Sequence, residues 1–221
     1  MSNHSHRARM QPSATLLKLG LAVGPIYFGV SLAQAFVREG FDLARHPLSA
    51  LANGSGGWVQ TLNLAVSGAM VIAAAIGMRR VLAPRAGAAS WAMSGFGVGM
   101  VAASLFPMDP SDGFPVGTPP GMPTTVSTSG IVHFAAGGLG FLSLAIACLL
   151  VALAMRRDWD RRTIALYALA GVAIPTLFMA GILVPSIGIA GIWLSVITQF
   201  SWIGALSWRL LGAKSGLQTR A

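Results

Sequence analysis

Residues 163–208 read TIALYALAGVAIPTLFMAGILVPSIGIAGIWLSVITQFSWIGALSW, 46 positions between Arg162 and Arg209 with no Asp, Glu, Lys, Arg or His. A soluble core helix never needs such a length, whereas crossing hydrocarbon takes about 20 apolar residues per helix. The stretch therefore reads as two crossings joined at Pro185. Four shorter charge-poor stretches precede it. Together the windows predict six helices: Leu19 to Val37, Trp58 to Met78, Gly87 to Phe106, Ile131 to Met155, Thr163 to Val184 and Gly188 to Trp208. In lipid each backbone N–H and C=O must be paired within the protein, so such spans are helical; the alternation expected of strands is absent. The expected fold class is all-α, a polytopic transmembrane bundle of six helices over residues 16–212. A disordered cytoplasmic tail (1–15) and a cytoplasmic tail (213–221) flank it.

Composition agrees. Of 221 residues, 54% are hydrophobic and 10% charged, against about 25% charged in soluble domains. The mean hydropathy is +0.69. A net charge of +9 would point to nucleic acid in a soluble protein. Here the cations sit in short gaps between apolar spans, which is an orientation signal and excludes a nucleic-acid partner. The single Cys148 lies in an apolar run, so neither a disulfide nor a thiolate metal cluster is available.

The gaps fix the hand. Arg7, Arg9 and Lys18 precede the first span, and Arg79, Arg80 and Arg85 follow the second. Arg156, Arg157, Arg161 and Arg162 follow the fourth, and Arg209, Lys214 and Arg220 follow the sixth. These are 13 of the 15 Lys and Arg residues, all on one side of six crossings; only Arg38 and Arg45 fall on the other. The positive-inside rule makes the crowded side cytoplasmic, with both termini inside a bacterial cytoplasmic (inner) membrane. A second reading concerns the N-terminus: basic residues, an apolar run and Ala33-Gln34-Ala35 also resemble a cleaved signal peptide. The length of the run, Pro25, Tyr27 and the Gly20/Gly24 pair favour a retained helix, and cleavage would leave the other orientations unchanged.

Small residues supply the expected packing. Gly20-x-x-x-Gly24 and Gly95-x-x-x-Gly99 permit close helix approach, with Gly137, Gly138 and Gly140 thinning the fourth helix in the same way. Pro25 and Pro175 are expected to kink their helices. Gln199, with Ser195 on the same face, reads as a bond between helices.

Polar chemistry gathers on the outer side. Four of the six acids and both histidines outside the N-terminal tail lie there; Asp158 and Asp160 sit instead among the cytoplasmic arginines as solvated ion partners. The candidate outer-face cluster is Asp42, His46, Ser49, Asn53, Asp109 and His133. Pro47 to Asn53 reads as a short interfacial helix ending at Gly54, with Ser49 and Asn53 on one face. Gln60 and Asn63 begin the second span, facing the bundle or the headgroups. Asp109 is held between Pro107 and Pro110, and His133 lies about one turn, on the order of 4 Å, below the start of the fourth helix. At that depth an imidazole faces protein or a cavity, and a contact with Asp109 is expected. Structural readings stand beside these: His46 as a loop residue, His133 as a hydrogen-bonding tie, Asp42 and Asp112 as solvated, and Ser49 as a hydroxyl bonding backbone.

Phe41-Asp42, His46-Pro47-Leu48-Ser49-Ala50-Leu51, Gly57-Trp58, Asn63 to Gly68, Phe106-Pro107-x-Asp109 and Ser129-x-x-x-His133 together resemble the membrane family known as domain of unknown function 998. The resemblance covers about residues 16–212. It implies a six-helix bacterial integral membrane protein and brings no established activity, cofactor or catalytic residue. A more distant similarity is to the seven-helix membrane hydrolases that include alkaline ceramidases and progestin-type receptors, which use Ser, Asp and three His around zinc. Ser49, Asp109, His133 and His46 supply the residue types. A third membrane-proximal His is missing, because His4 and His6 lie on the tail, and there is one helix fewer.

Two function classes follow. The first is a non-enzymatic integral membrane protein with a polar outer-face site, serving small-molecule binding or transport, sensing or an accessory role, with the bilayer and a lipid or small-molecule ligand as partners. No acid or base lies mid-span, which argues against an ion-coupled pump. The alternative is an outer-face metal-dependent hydrolase of a lipid or lipid-linked substrate, with His46, Asp109 and His133 as metal ligands and Asp42 in reserve. A b-type haem would need two facing axial histidines, and His46 lies outside any span. No cofactor is assigned by the sequence.

Overall fold

The structure is a computed structural model that describes the backbone of residues 2–218 and the side chains of residues 13–212. The tail residues His4, His6, Arg7 and Arg9, and Lys214 and Arg220, have side chains outside the described residues. Six helices follow one another: α1 Ser2–Val37, α2 Gly57–Leu82, α3 Gly87–Leu105, α4 Thr128–Ala154, α5 Arg161–Leu183 and α6 Gly188–Gln218. A single 3₁₀ turn, Leu48–Ala52, lies between α1 and α2. No strand occurs among the described residues. Each helix contains a stretch long and apolar enough to cross a membrane, from Ser13–Val37 to Gly188–Gly212, so the chain is a multi-pass membrane protein with six spans. The limits of α2 to α5 fall within a few residues of those expected from the sequence, whereas α1 begins well before Leu19 and α6 runs on past Trp208, because a helix can continue into polar sequence after the apolar window ends.

Local chemistry sets the ends. Ser127 caps α4, its hydroxyl accepting from the Gly130 N–H at 3.0 Å. Asp160 caps α5, its carboxylate accepting from the Thr163 N–H at 2.9 Å and the Thr163 hydroxyl at 2.7 Å. Those bonds, the hydroxyl first, hold the Asp160 carboxyl below the usual carboxylate range. Gly56 enters α2 with φ of 81°, a left-handed conformation that a glycine adopts without a Cβ penalty. The helices run on through Pro25 and Pro175.

Every helix packs on its neighbours in sequence, and α6 returns to α1, so the six form a closed ring with some contact between α2 and α6 across it. Lipid tails are as apolar as leucine, so close approach and dispersion must hold the ring together. A Cβ built on Gly99 would lie 2.7 Å from the Ala136 carbonyl oxygen and 3.1 Å from the Gly140 Cα, so α3 and α4 meet backbone to backbone. The Gly20/Gly24 pair on α1 faces Ser207 and Phe200 of α6. Gly137 and Gly138 depart from the expectation: a Cβ on either would meet nothing within 4 Å. Only Gly140 of that trio packs.

Outward, Leu62, Val98, Leu139, Leu153, Leu166 and Leu169 are exposed, the face that a bilayer rather than water accommodates. Trp58 and Trp208 stand exposed near opposite ends, where amphipathic rings mark membrane interfaces. One end carries most of the arginines: Arg85 pairs with Asp158 at 2.8 Å and Arg209 with Asp160 at 3.7 Å, while Arg209 also lies 4.6 Å from the centre of the Trp159 ring. The two acids are therefore ion partners of arginine, as the sequence implies.

Gly99→Ala should lower stability by about 1–3 kcal/mol, since backbone must move to admit the methyl group. Gly138→Ala, on the same helix pair, should be neutral or slightly stabilising. Thermal unfolding of both variants in detergent checks this, and equal midpoints would remove the close-contact explanation.

Candidate functional site

At the end opposite Arg85 and Arg209, the α1–α2 and α3–α4 connections interlock into a lid. His46 is its rivet, 1% exposed between the rings of Phe41 and Phe114. Its Nδ1 accepts from the Asp42 N–H at 2.9 Å, so its Nε2–H donates to the Asp112 carbonyl at 3.0 Å, 66 residues away in sequence. Asp112 adopts φ of 50°, a left-handed position that aspartate tolerates better than most residues. Phe114, 1% exposed, packs edge-on against Phe41, and the Arg38 guanidinium lies 5.2 Å from its ring centre.

Arg38 in turn donates to the Leu51 carbonyl at 3.1 Å and the Asn53 carbonyl at 2.6 Å, closing the end of the 3₁₀ turn. Partial burial draws its pKa down from the ordinary guanidinium value. The indole N–H of Trp193 on α6 donates to the Leu43 carbonyl at 3.1 Å, so the lid touches the last helix as well.

The expected site residues divide. Asp42 accepts from the Ala44 N–H at 2.8 Å and pairs with Arg45 at 3.2 Å. The Ala44 bond is the main reason its carboxyl lies below the usual carboxylate range. Asn53 contributes its carbonyl to Arg38, and its side-chain N–H₂ is buried without a partner. The interfacial helix is only one 3₁₀ turn, where residues three rather than four apart align. Ser49 therefore lines the space below the lid, its hydroxyl donating weakly to the Met108 sulfur at 3.5 Å, while Asn53 belongs to the Arg38 clasp.

Asp109 takes its partner from the start of α4, accepting from the Ser127 N–H at 3.0 Å, where the helix dipole favours a carboxylate. The expected partner of His133 is thus replaced: its Nδ1 meets the Phe106 carbonyl at 2.8 Å and the Ala103 carbonyl at 3.2 Å. Two carbonyl acceptors require Nδ1 to carry the proton, which leaves Nε2 of the neutral ring as an acceptor. Among the described residues, no group of three or more His, Cys, Asp and Glu side chains converges as a metal site would require. In His46 both ring nitrogens are already committed to backbone.

Below the lid the ring encloses a cavity of about 120 Å³. Pro47, Leu48, Ser49 and Met108 form its roof, and Phe96, Phe141, Phe178 and Phe200 its deeper walls; all six helices contribute. Its polar groups are few: Ser49 and His133 near the lid, and Tyr27 and Gln199 deeper. Gln199 donates to the Ser195 hydroxyl oxygen at 3.2 Å and Ser195 donates to the Ile174 carbonyl at 2.8 Å, so Ser195 makes the bond between α5 and α6, while Gln199 bonds within α6 and its Oε1 is buried without a partner. A separate buried network ties α1 to α2: Ser31 and Gln34 donate to the Gln60 carbonyl oxygen at 3.1 and 2.9 Å, and Asn63 donates to the Tyr27 carbonyl at 3.1 Å. Gln60 and Asn63 thus face the bundle.

Sequence reasoning missed Phe114, Arg38 and Trp193 as lid elements, and missed the cavity aromatics. Phe114 carries a faint signal, an isolated aromatic inside a Pro/Gly-rich connection. The cavity residues carry none, because in an apolar span an aromatic lining a space reads like one facing lipid.

The fold and this capped interior define a six-helix integral membrane protein with an apolar central chamber. The chain belongs to the family described as "Protein of unknown function (DUF998)", which it matches over residues 21–209. No curated protein and no solved structure matches it.

His46→Ala would leave the Asp42 N–H and the Asp112 carbonyl without partners beneath the lid, a loss of about 1–3 kcal/mol. The expected result is a lower unfolding midpoint together with faster protease cutting between residues 106 and 127. A wild-type midpoint and cutting rate would mean that the ring does not hold the two connections together.

Proposed function

We propose that this protein is a non-enzymatic binding protein of the membrane, whose central chamber receives the apolar part of a small lipophilic molecule or lipid. The observation that carries the reading is the cavity: six helices surround it, aromatic rings line it, and its polar groups are few, two near the lid and two deeper. An engineered apolar cavity of about 150 Å³ stays dry and binds benzene, so a chamber of about 120 Å³ suits one ring or a short chain segment. Such a site, apolar with a few placed polar atoms, is the usual form of a small-molecule pocket.

Access is from the side, between α4 and α5–α6. Phe134 lines the cavity while 43% exposed, and Gly137, also lining it, would meet nothing within 4 Å if it carried a Cβ. The lid closes the aqueous end, so a ligand enters from the bilayer.

In the proposed orientation the lid faces away from the cytoplasm, in a bacterial cytoplasmic (inner) membrane. Both termini are then cytoplasmic, with residues 1–15 and 213–221 as cytoplasmic tails. The support is the 13 of 15 Lys and Arg residues at one end. The polar outer-face cluster then acts mostly as architecture: Asp42, His46, Asn53 and Asp109 hold the lid, while Ser49 and His133 line the chamber.

The test uses pentylbenzene and protein in nanodiscs. Wild type should gain thermal stability from the probe in a saturable way. Gly137→Trp, which projects an indole into open space, should fold and lose that response. A response undiminished by Gly137→Trp would put the binding elsewhere and sink the reading. Near-stoichiometric zinc that disappears in His133→Ala, with release of product from a lipid ester, would favour the outer-face hydrolase instead. A separate check of orientation is labelling of single cysteines at positions 113 and 158 in intact cells. An impermeant thiol reagent should reach 113 and not 158.

A further inference from the structure

The chamber's wall near the lid says more about its ligand, on the reading that the chamber is a binding site. His133 is 6% exposed, lines the cavity, and has its Nδ1–H spent on the Phe106 and Ala103 carbonyls at the end of α3. That double acceptor fixes the tautomer. Nε2 is therefore an acceptor, with no protein donor assigned to it, in a ring almost wholly withdrawn from solvent. An acceptor in such surroundings is costly to leave unpaired. Ser49 lines the same end, and its proton goes only to the Met108 sulfur at 3.5 Å, a weak acceptor that it can give up for a better one.

We infer that the ligand is a neutral lipophile bearing a hydroxyl group, held by His133 Nε2 and Ser49 with its apolar body in the chamber. The pair selects by complementarity. A hydroxyl donates to Nε2 and accepts from the Ser49 O–H in one group. An ether or ketone only accepts, so Nε2 stays unpaired; an amide could answer both, but at the larger cost of withdrawing a strongly hydrated group into apolar walls. An ammonium would surrender its hydration to apolar walls, and a carboxylate would do the same while offering Nε2 no proton. The position also suits an amphiphile. The hydroxyl sits about one turn below the start of α4, and the apolar part extends toward Phe96, Phe141 and Phe200 at mid-depth.

The experiment compares 4-pentylphenol with 4-pentylanisole, its methyl ether, and with pentylbenzene. Affinities are taken at equal concentration within nanodisc lipid so that partition is removed. Wild type should favour the phenol over the anisole by about threefold to tenfold, the range of one net hydrogen bond. His133→Asn is the matched variant: its amide can still donate to the Ala103 and Phe106 carbonyls, but it lacks an acceptor at the Nε2 position. It should bind pentylbenzene as wild type does and discriminate phenol from anisole by no more than about twofold. Equal binding of phenol and anisole by wild type, or a preference that survives in His133→Asn, overturns the inference and leaves the chamber as a general apolar site. Failure of all three probes to bind wild type overturns the binding reading and the inference together.

Discussion

A Cβ on Gly99 would sit 3.1 Å from the Gly140 Cα, and the rest of the bundle depends on contacts of that kind. In a bilayer the medium around a helix is as apolar as its side chains, so burial alone gives two helices little reason to associate. What remains is dispersion, which requires atoms at contact distance, and hydrogen bonds shielded from water. Glycine backbones supply the first between α3 and α4. The Ser31–Gln34–Gln60–Asn63 network supplies the second between α1 and α2. Six helices tied edge to edge in this way close a ring, and a ring of helices this thick need not fill its own axis. The chamber is a consequence of how the walls are held.

The same constraint decides what the polar side chains can be for. A group inside hydrocarbon must be paired with protein, and most of those here are: Ser195 with the Ile174 carbonyl, Ser90 with the Ala75 carbonyl, Ser143 with the Ala92 carbonyl. These hydroxyls are fasteners between helices. His133 is different because its two nitrogens meet different surroundings, one locked to the end of α3 and one in a ring that borders the chamber. His46 makes the contrast plain. It is equally buried, but both of its nitrogens serve backbone, and its work is finished once the lid is closed.

The helices were legible in the sequence because hydropathy is a one-dimensional signal. The run from 163 to 208 requires two crossings whatever its neighbours do, and the count of six follows by the same rule. The acids at 158 and 160 could also be assigned, since loop arginines flank them. The lid could not be read. His46 meets a carbonyl of residue 112, and Arg38 meets the carbonyls of 51 and 53; backbone acceptors carry no sequence signature. The Asp109–His133 pairing looked natural because both side chains are ionisable, but each is satisfied by backbone groups closer at hand. The chamber was invisible for a third reason. Its walls are Phe, Met, Leu and Gly, the same residues that face lipid.

The residues on which the family resemblance rests are not scattered over this architecture. Phe41-Asp42 and His46 build the lid, and Leu48 and Ser49 roof the chamber. Asn63 belongs to the α1–α2 network, and Gly68 meets the Gly97 carbonyl at the α2–α3 contact. Phe106 and Asp109 fix the exit of α3 and the entry of α4, and Ser129 donates to the Pro107 carbonyl beside them at 2.7 Å. His133 lies just beneath. Within this set Asp42, His46, Asp109, Ser129 and His133 bond backbone groups, Asn63 also bonds Ser31 and Gln60, and the Ser67 hydroxyl is buried without a partner. These residues fix the lid, the α1–α2 seam and the α3–α4 junction, the three places from which the walls of the chamber are held.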